Sequence, residues 1–419
     1  MSGETNVLGV ALGATEVGRL ELAGGGLDRV RFSTTERYRG MADRPVLSQS
    51  LEDDLAQVWE SRVRAPAFFS NLLPEGVLRE LLAHRAGVNP MREFFLLAEL
   101  GEDLPGNVIV RPVGRLADEG QASLELPKSV AADEPLRFSV AGLQLKFSVS
   151  RNRERWVLPV RGQGGRWLLK MPSPRFRRVP LNEYWMLRFA RAVGLSVADV
   201  QLVRREDVEG LAGVAGPELA GEEPQALLVR RFDRTDGEAR VHTEDLLQVL
   251  NKHPDDRSKY RAANAEWVGR LLRALDPSGE DLAEFVRRLI FNALLGNGDA
   301  HLKNWMLRYE HPQRPRLAPA FDLVSTIQYP ATDQEEFALN VGRTKRYAEL
   351  SLEHWRRFAS HLHVPGLADV AEGEVAELVQ SFAARLTGAW PAFAREAQVD
   401  QEFTATLERH WARVPLLRE

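Results

Sequence analysis

The chain has 419 residues, a formal net charge of −4 and no cysteine, which excludes disulfides, thiolate nucleophiles and cysteine-ligated zinc. Its slightly acidic balance is a poor match for whole-surface binding to a phosphate backbone, so any nucleic-acid contact would need a local basic patch or a partner. Hydrophobic residues at 44% and charged residues at 27% are those of a folded chain of two or three packed units rather than a disordered one.

The first 26 residues lack a basic stretch followed by an unbroken apolar run, and nowhere do 18 apolar residues follow one another. A cytoplasmic chain without a membrane anchor is expected. Residues 5 to 33 alternate apolar and polar positions around Gly13, Gly18 and Gly24-Gly25-Gly26, which reads as an antiparallel meander. Pro74 opens a helix over EGVLRELLAHRAG, and Asn89-Pro90 offers an N-cap and first-turn proline to MREFFLLAELG. NVIVRPVG returns to strand. Residues 114 to 136 are rich in small, acidic and turn-forming types, which places a domain boundary near residue 125. The expected units are therefore 1–125, 126–235 and 236–419.

In the second unit LRFSVAGLQLKFSVS, ERWVLPV and RWLLKMP read as strands joined by glycine-containing turns. A helix over LNEYWMLRFARAVG and a strand over QALLVRRFD follow. From about residue 260 the pattern is mainly helical. Ser278 and Asp281 suggest a capping box for EDLAEFVRRLIFNALL, which Gly296 ends. GNGDAHLKN leaves that helix as a loop, WMLRY and RLAPAFDLVS read as short strands, and at least three more helices reach Glu419. The class is α+β.

The chemistry lies in that loop. Asp299 and Asn304 are five positions apart, the separation of the kinase catalytic loop, in which Asp takes the acceptor proton and Asn binds metal. A second carboxylate, Asp322, lies 18 residues further on, where an intervening hairpin would bring it back to a magnesium ion that prefers hard oxygens. Upstream, Lys170 follows three apolar residues in WLLKMP. An interior lysine needs a carboxylate or a phosphate, and Glu183 on the next helix is a candidate partner. SVAGLQLK links two strands through one glycine and small residues that let backbone amides approach phosphate oxygens. Neither G-x-x-x-x-G-K-[ST] nor G-x-G-x-x-G is present, and no H-E-x-x-H or G-x-S-x-G occurs. Phosphate loop, strand lysine, helix glutamate, catalytic loop and metal aspartate thus occur in kinase order.

These residues, with NEYW, RRFDR, HTEDLLQ, FDLVS and the N-terminal FFSNLLPEG and FLLAELGEDLPGNVIV, resemble the HipA family of serine/threonine kinases, the toxin halves of bacterial toxin–antitoxin pairs. The resemblance covers nearly the whole chain. It implies a two-lobed protein-kinase-like fold with a small β-rich N-terminal subdomain and a mainly helical C-terminal lobe. It implies ATP and Mg2+ as cofactors, with the phosphates held at Val140, Ala141, Gly142, Leu143, Gln144, Leu145 and Lys170 and adenine received at Arg230, Arg231 and Phe232. His301, Leu302, Lys303, Asn304 and Phe321 would line the nucleotide site, Asn304 and Asp322 would bind the metal, and Asp299 would be the base. Ser139 falls where the family autophosphorylates, a modification that would expel the phosphate loop and silence the enzyme. The implied partners are a small HipB-like helix-turn-helix antitoxin, operator DNA only through it, and a protein substrate such as an aminoacyl-tRNA synthetase. Two departures stand out: Arg230 replaces an acidic hinge residue, and Leu247 a cysteine. Two other readings stay open on the residues alone. GNGDAHLKN is also similar to the loop of small-molecule antibiotic phosphotransferases, and a catalytically silent subunit acting through its antitoxin would carry the same family features.

Overall fold

The computed structural model describes residues 6–23, 29–116, 145–152, 155–157, 165–211, 221–237, 239–330 and 335–419. The expected boundary near residue 125 and the expected phosphate-loop residues Ser139, Val140, Ala141, Gly142, Leu143 and Gln144 lie outside them.

Period-two burial of Leu8, Val10 and Leu12 follows from strand geometry, in which alternate side chains face the core. Strands β1 (Val7–Leu12), β2 (Thr15–Ala23), β3 (Arg29–Thr34), β4 (Trp59–Arg62) and β5 (Val108–Pro112) form an antiparallel sheet in the order β4-β3-β2-β1-β5. Its apolar face shares one core with Phe68, Phe69, Phe94 and Phe95. These phenylalanines come from helices α2 (Ala67–Ser70) and α4 (Glu93–Leu100), which flank α3 (Gly76–Ala86); α1 (Glu36–Arg39) precedes them. Two helix starts differ from expectation. α3 begins at Gly76, two residues beyond Pro74, and α4 begins at Glu93 rather than after Asn89. The reason for the second is local: Asn89 Oδ1 accepts from the Met91 amide at 2.9 Å, closing a turn before the helix instead of capping it.

A second sheet contains β6 (Lys146–Asn152), β7 (Arg155–Val157), β8 (Trp167–Lys170), β9 (Val200–Arg204), β10 (Val208–Glu209) and β11 (Gln225–Arg230). Their spatial order among the described residues is β10-β7-β6-β8-β11-β9. Pairing sets Lys146 opposite Lys170, and the Met171 amide donates to Leu145 O at 2.9 Å. Helix α5 (Val179–Ala192) lies between β8 and β9 in the chain. Its apolar stripe of Trp185, Met186 and Phe189 joins the core of the helical C-terminal region, so this helix keys the small sheet to the larger lobe.

That lobe holds α6 (Leu246–Val249), α7 (Asp256–Arg261), α8 (Ala265–Leu275), α9 (Glu280–Leu295), α10 (Leu352–Ser360), α11 (Glu372–Glu396) and α12 (Gln401–Trp411). Strands β12 (His242–Asp245), β13 (Met306–His311) and β14 (Arg314–Leu317) form an antiparallel sheet, and β15 (Glu336–Val341) pairs with β16 (Thr344–Arg346). The expected strand over RLAPAFDLVS stops at Leu317, and Phe321 to Ser325 are irregular backbone. The expected Ser278–Asp281 capping box is absent as well. Asp276 takes its place, accepting from the Asp281 amide at 3.0 Å and from Ser278 Oγ at 2.6 Å, while Gly279 turns the chain at φ +80°. Gly296 does end α9, at φ +69°, where a Cβ would meet Ile327 side-chain atoms at 2.5 to 2.7 Å.

Candidate active site

Gly296 releases the chain into a loop fixed mostly by its own amides. Asn297 accepts from the Asp299 amide at 3.0 Å and donates its Nδ2 to Asn292 Oδ1 on α9 at 2.8 Å. The Gly298 amide donates to Thr326 Oγ1 at 2.9 Å. Asn304 Nδ2 donates to Asp299 O at 2.8 Å, so the five-residue spacing is closed by a hydrogen bond. Leu302 and Trp305 send buried side chains into the core and anchor the far end.

The Asp299 carboxylate is buried. Its Oδ1 accepts from the Tyr260 hydroxyl at 2.5 Å and lies 3.8 Å from His301 Nε2. Burial lowers the His301 pKa below the usual imidazole value, against the opposing pull of Asp299, so the ring is neutral near pH 7. His301 Nδ1 is buried with no hydrogen-bond partner among the described residues. The Lys303 amine, expected at the nucleotide, is engaged elsewhere: by Asp245 Oδ2 and Asn71 Oδ1, each at 2.8 Å, Asn71 O at 3.2 Å and Glu75 Oε1 at 3.6 Å. Lys259 pairs with the other Glu75 oxygen. Burial would raise the Glu75 pKa, but Lys303 and Lys259 outweigh it and hold the carboxyl below its ordinary value. FFSNLLPEG thus reaches from the N-terminal subdomain to brace the loop.

A buried ion cluster accompanies the loop. Lys170 is 1% exposed and its amine donates to Glu183 Oε1 at 2.5 Å and to Asp322 Oδ1. Lys146 approaches the other Asp322 oxygen at 3.4 Å. α5 also pins the backbone around Asp322: Glu183 Oε1 accepts from the Asp322 amide at 3.2 Å, and Asn182 exchanges two hydrogen bonds of 3.0 Å with Ser325. Asp322 takes φ +53°, a left-handed conformation uncommon outside glycine and tolerated best by Asp and Asn. Burial would raise the Asp322 pKa, yet Lys146 and Lys170 hold it far below the carboxylate range. Burial raises Glu183, with Lys170 opposing, and Lys170 is raised because Asp322 and Glu183 together overcome its own burial.

Loop and cluster meet at one cavity, lined in part by Ala300, Asn304, Phe321 and Asp322. The Phe321 ring lies 5.6 Å from that of Phe232, just past the end of β11. Around it the Arg230 amide donates to Asp199 O at 2.8 Å, the Arg231 amide to Arg166 O at 2.9 Å, and Phe232 O accepts from Arg308 at 2.9 Å. The Leu302 side chain, expected at the nucleotide, is instead fully buried in the core.

The donor set suits magnesium with phosphates: a carboxylate residue, Asp322, and a carboxamide residue, Asn304, line the same cavity, and magnesium takes the rest of its shell from water and phosphate oxygens. No cluster of three or more His, Asp or Glu poised for a metal occurs among the described residues. Two buried polar atoms, His301 Nδ1 in the loop and Glu183 Oε2 in the ion cluster, have no hydrogen-bond partner among the described residues. Three groups carried no role in the sequence reading: Lys146, whose motif was visible, the Asn71/Glu75 pair, whose segment was noted only as a resemblance, and Tyr260.

A family model described as the HipA-like C-terminal domain matches residues 138–390, and one described as the HipA N-terminal domain matches residues 8–111. The chain belongs to the HipA family. Among HipA relatives, the provisionally named kinase Y4dM of Sinorhizobium fredii is 41% identical over 401 residues, 93% of both chains. The serine/threonine-protein kinase toxin HipA of Shewanella oneidensis is 25% identical over 303 residues, 64% of each. The solved Shewanella oneidensis MR-1 complex of HipA, HipB and operator DNA aligns with a TM-score of 0.72 at 21% identity, over 98% of this chain and 96% of that one. The α+β fold of that HipA chain is therefore shared over 98% of this one. Among the described residues no helix is long and apolar enough to cross a membrane.

Proposed function

We propose that this chain is an ATP- and magnesium-dependent serine/threonine protein kinase, the toxin of a toxin–antitoxin pair. The observation that carries the reading is that Asp322, tied to the buried Lys170–Glu183 pair, and Asn304, bonded to Asp299 O, line one cavity. In the proposed reaction the substrate hydroxyl oxygen bonds to the γ-phosphorus as the bond from that phosphorus to the β–γ bridging oxygen breaks. The hydroxyl proton passes to Asp299 and ADP leaves. Lys170 exchanges Asp322 for phosphate oxygens, residues 140–145 enclose the phosphates, and Arg230 to Phe232 receive adenine by the backbone groups other than the Arg230 and Arg231 amides and Phe232 O, which are bonded within the fold. His301, Asn304 and Phe321, with the backbone of Leu302 and Lys303, form the remaining wall. Magnesium, held by Asn304 and Asp322, would neutralise phosphate charge there.

Phosphorylation of Ser139 would add roughly −2 charge beside this loop and silence the enzyme. The substrate is a translation component such as an aminoacyl-tRNA synthetase, in the cytoplasm. The restraining partner is a small HipB-like helix-turn-helix antitoxin that brings the complex to operator DNA; the solved Shewanella complex, in which HipA accompanies HipB and its operator DNA, supports this assembly. Labelled ATP added with the purified protein to a cell lysate tests the reading. Label is expected on one protein band and on the chain itself, and at least about a hundredfold less with Asp299→Asn. Label confined to small molecules, or undiminished in the variant, would overturn it.

A further inference from the structure

We propose that Tyr260 is a positioning residue that orients the Asp299 carboxylate for the acceptor hydroxyl, a role that rests on the kinase reading above. The hydroxyl donates to Asp299 Oδ1 at 2.5 Å, and the ring meets the His301 ring edge-on at 5.3 Å. A carboxylate can rotate about its last side-chain bond, whereas a general base must present an oxygen to one incoming proton. Fixing Oδ1 fixes the plane of the group.

The tyrosine is itself held from several parts of the chain. Asp255 caps α7 by accepting from the Ser258 amide at 2.9 Å. The neighbouring Lys259 is tied to Glu75 of the N-terminal subdomain. Lys345 of β16 donates to Tyr260 O at 2.8 Å and to Ala338 O at 2.7 Å. This anchorage argues against a displaceable stand-in for the acceptor hydroxyl. Burial and then the Asp299 charge raise the Tyr260 pKa far above that of a free phenol, so the side chain keeps its proton and remains a donor while Asp299 takes one from the substrate.

The test compares full-length wild type, Tyr260→Phe and Lys345→Met with Mg-ATP and casein as acceptor, alongside binding of a fluorescent ATP analogue. Tyr260→Phe is expected to lower kcat about ten- to a hundredfold, with the KM for ATP and analogue affinity within about twofold of wild type. Lys345→Met is expected to lower kcat less, in the same pattern. Unchanged or raised kcat in Tyr260→Phe, or an equal loss of nucleotide binding, overturns the proposal. Should circular dichroism show Tyr260→Phe unfolded, Lys345→Met decides, and unchanged kcat there overturns it. Absence of transfer by wild type sinks the kinase reading and this role together; transfer by wild type with undiminished Tyr260→Phe sinks this role alone.

Discussion

Lys170, Glu183 and Asp322 take charge into a region where desolvation costs several kcal/mol per ion, a penalty that Coulomb attraction recovers only when every partner is present. Removing one member should therefore cost more than removing a matched pair. Lys170→Met is expected to destabilise the protein by about 3 kcal/mol, and Lys170→Met/Glu183→Gln by less than the sum of the two single changes. Urea denaturation of the four proteins measures this, and strict additivity would contradict the coupled cluster. The pairing was legible in the sequence because an interior lysine after Trp167-Leu168-Leu169 demands a counter-charge, and Glu183 lies on the next helix. Tyr260 was not readable. It lies 39 residues from Asp299 in a six-residue helix with no amphipathic repeat, and only tertiary contact brings the two together.

The turn from α9 into the loop depends on glycine twice over, for its positive φ and for the space that Ile327 fills. Gly296→Ala is expected to destabilise by about 1 to 3 kcal/mol, read as a lower urea midpoint with an unchanged slope; a shift within error would mean that Ile327 can withdraw. This stop was legible because Gly296 closes a run of apolar residues at helical spacing. The start of the same helix was not, since serine and aspartate at the capping spacing are equally compatible with Asp276 accepting from both. Short edge elements were missed for a related reason. β9 and the β15–β16 hairpin strands are each only three to six residues long, too few for period two to stand out from chance.

For the whole molecule, the seam between the N-terminal subdomain and the C-terminal lobe carries its own pH dependence. His242 is buried in β12, its Nε2 bonded to Leu47 O at 2.7 Å, and burial lowers its pKa from 6.5 to about 4. As pH falls from about 6.5 towards 4, the unfolded chain takes up a proton that the folded chain refuses, so this histidine's contribution to stability is present above pH 6.5 and lost below it. Glu244 beside it opposes this. Burial raises it to about 7 despite donors from Ser48, Tyr309 and Gln49, so its contribution is lost as pH rises. Comparing wild type with His242→Gln isolates the histidine, because Glu244 is common to both. The wild-type advantage in urea midpoint should shrink between pH 7.5 and pH 5, and a constant difference would contradict a neutral buried ring.

The brace of Asn71 and Glu75 on Lys303 also bears on how the protein is made. Asn71 and Lys303 are 232 positions apart, and at ribosomal speeds of about 5–20 residues per second the N-terminal half of that contact waits on the order of ten seconds or more for its lysine to be synthesised. During that interval the nascent chain has no closed catalytic loop. A growth-arresting activity of the kind proposed would therefore stay off at least until residue 303 has been made, when the ring of contacts around it can shut.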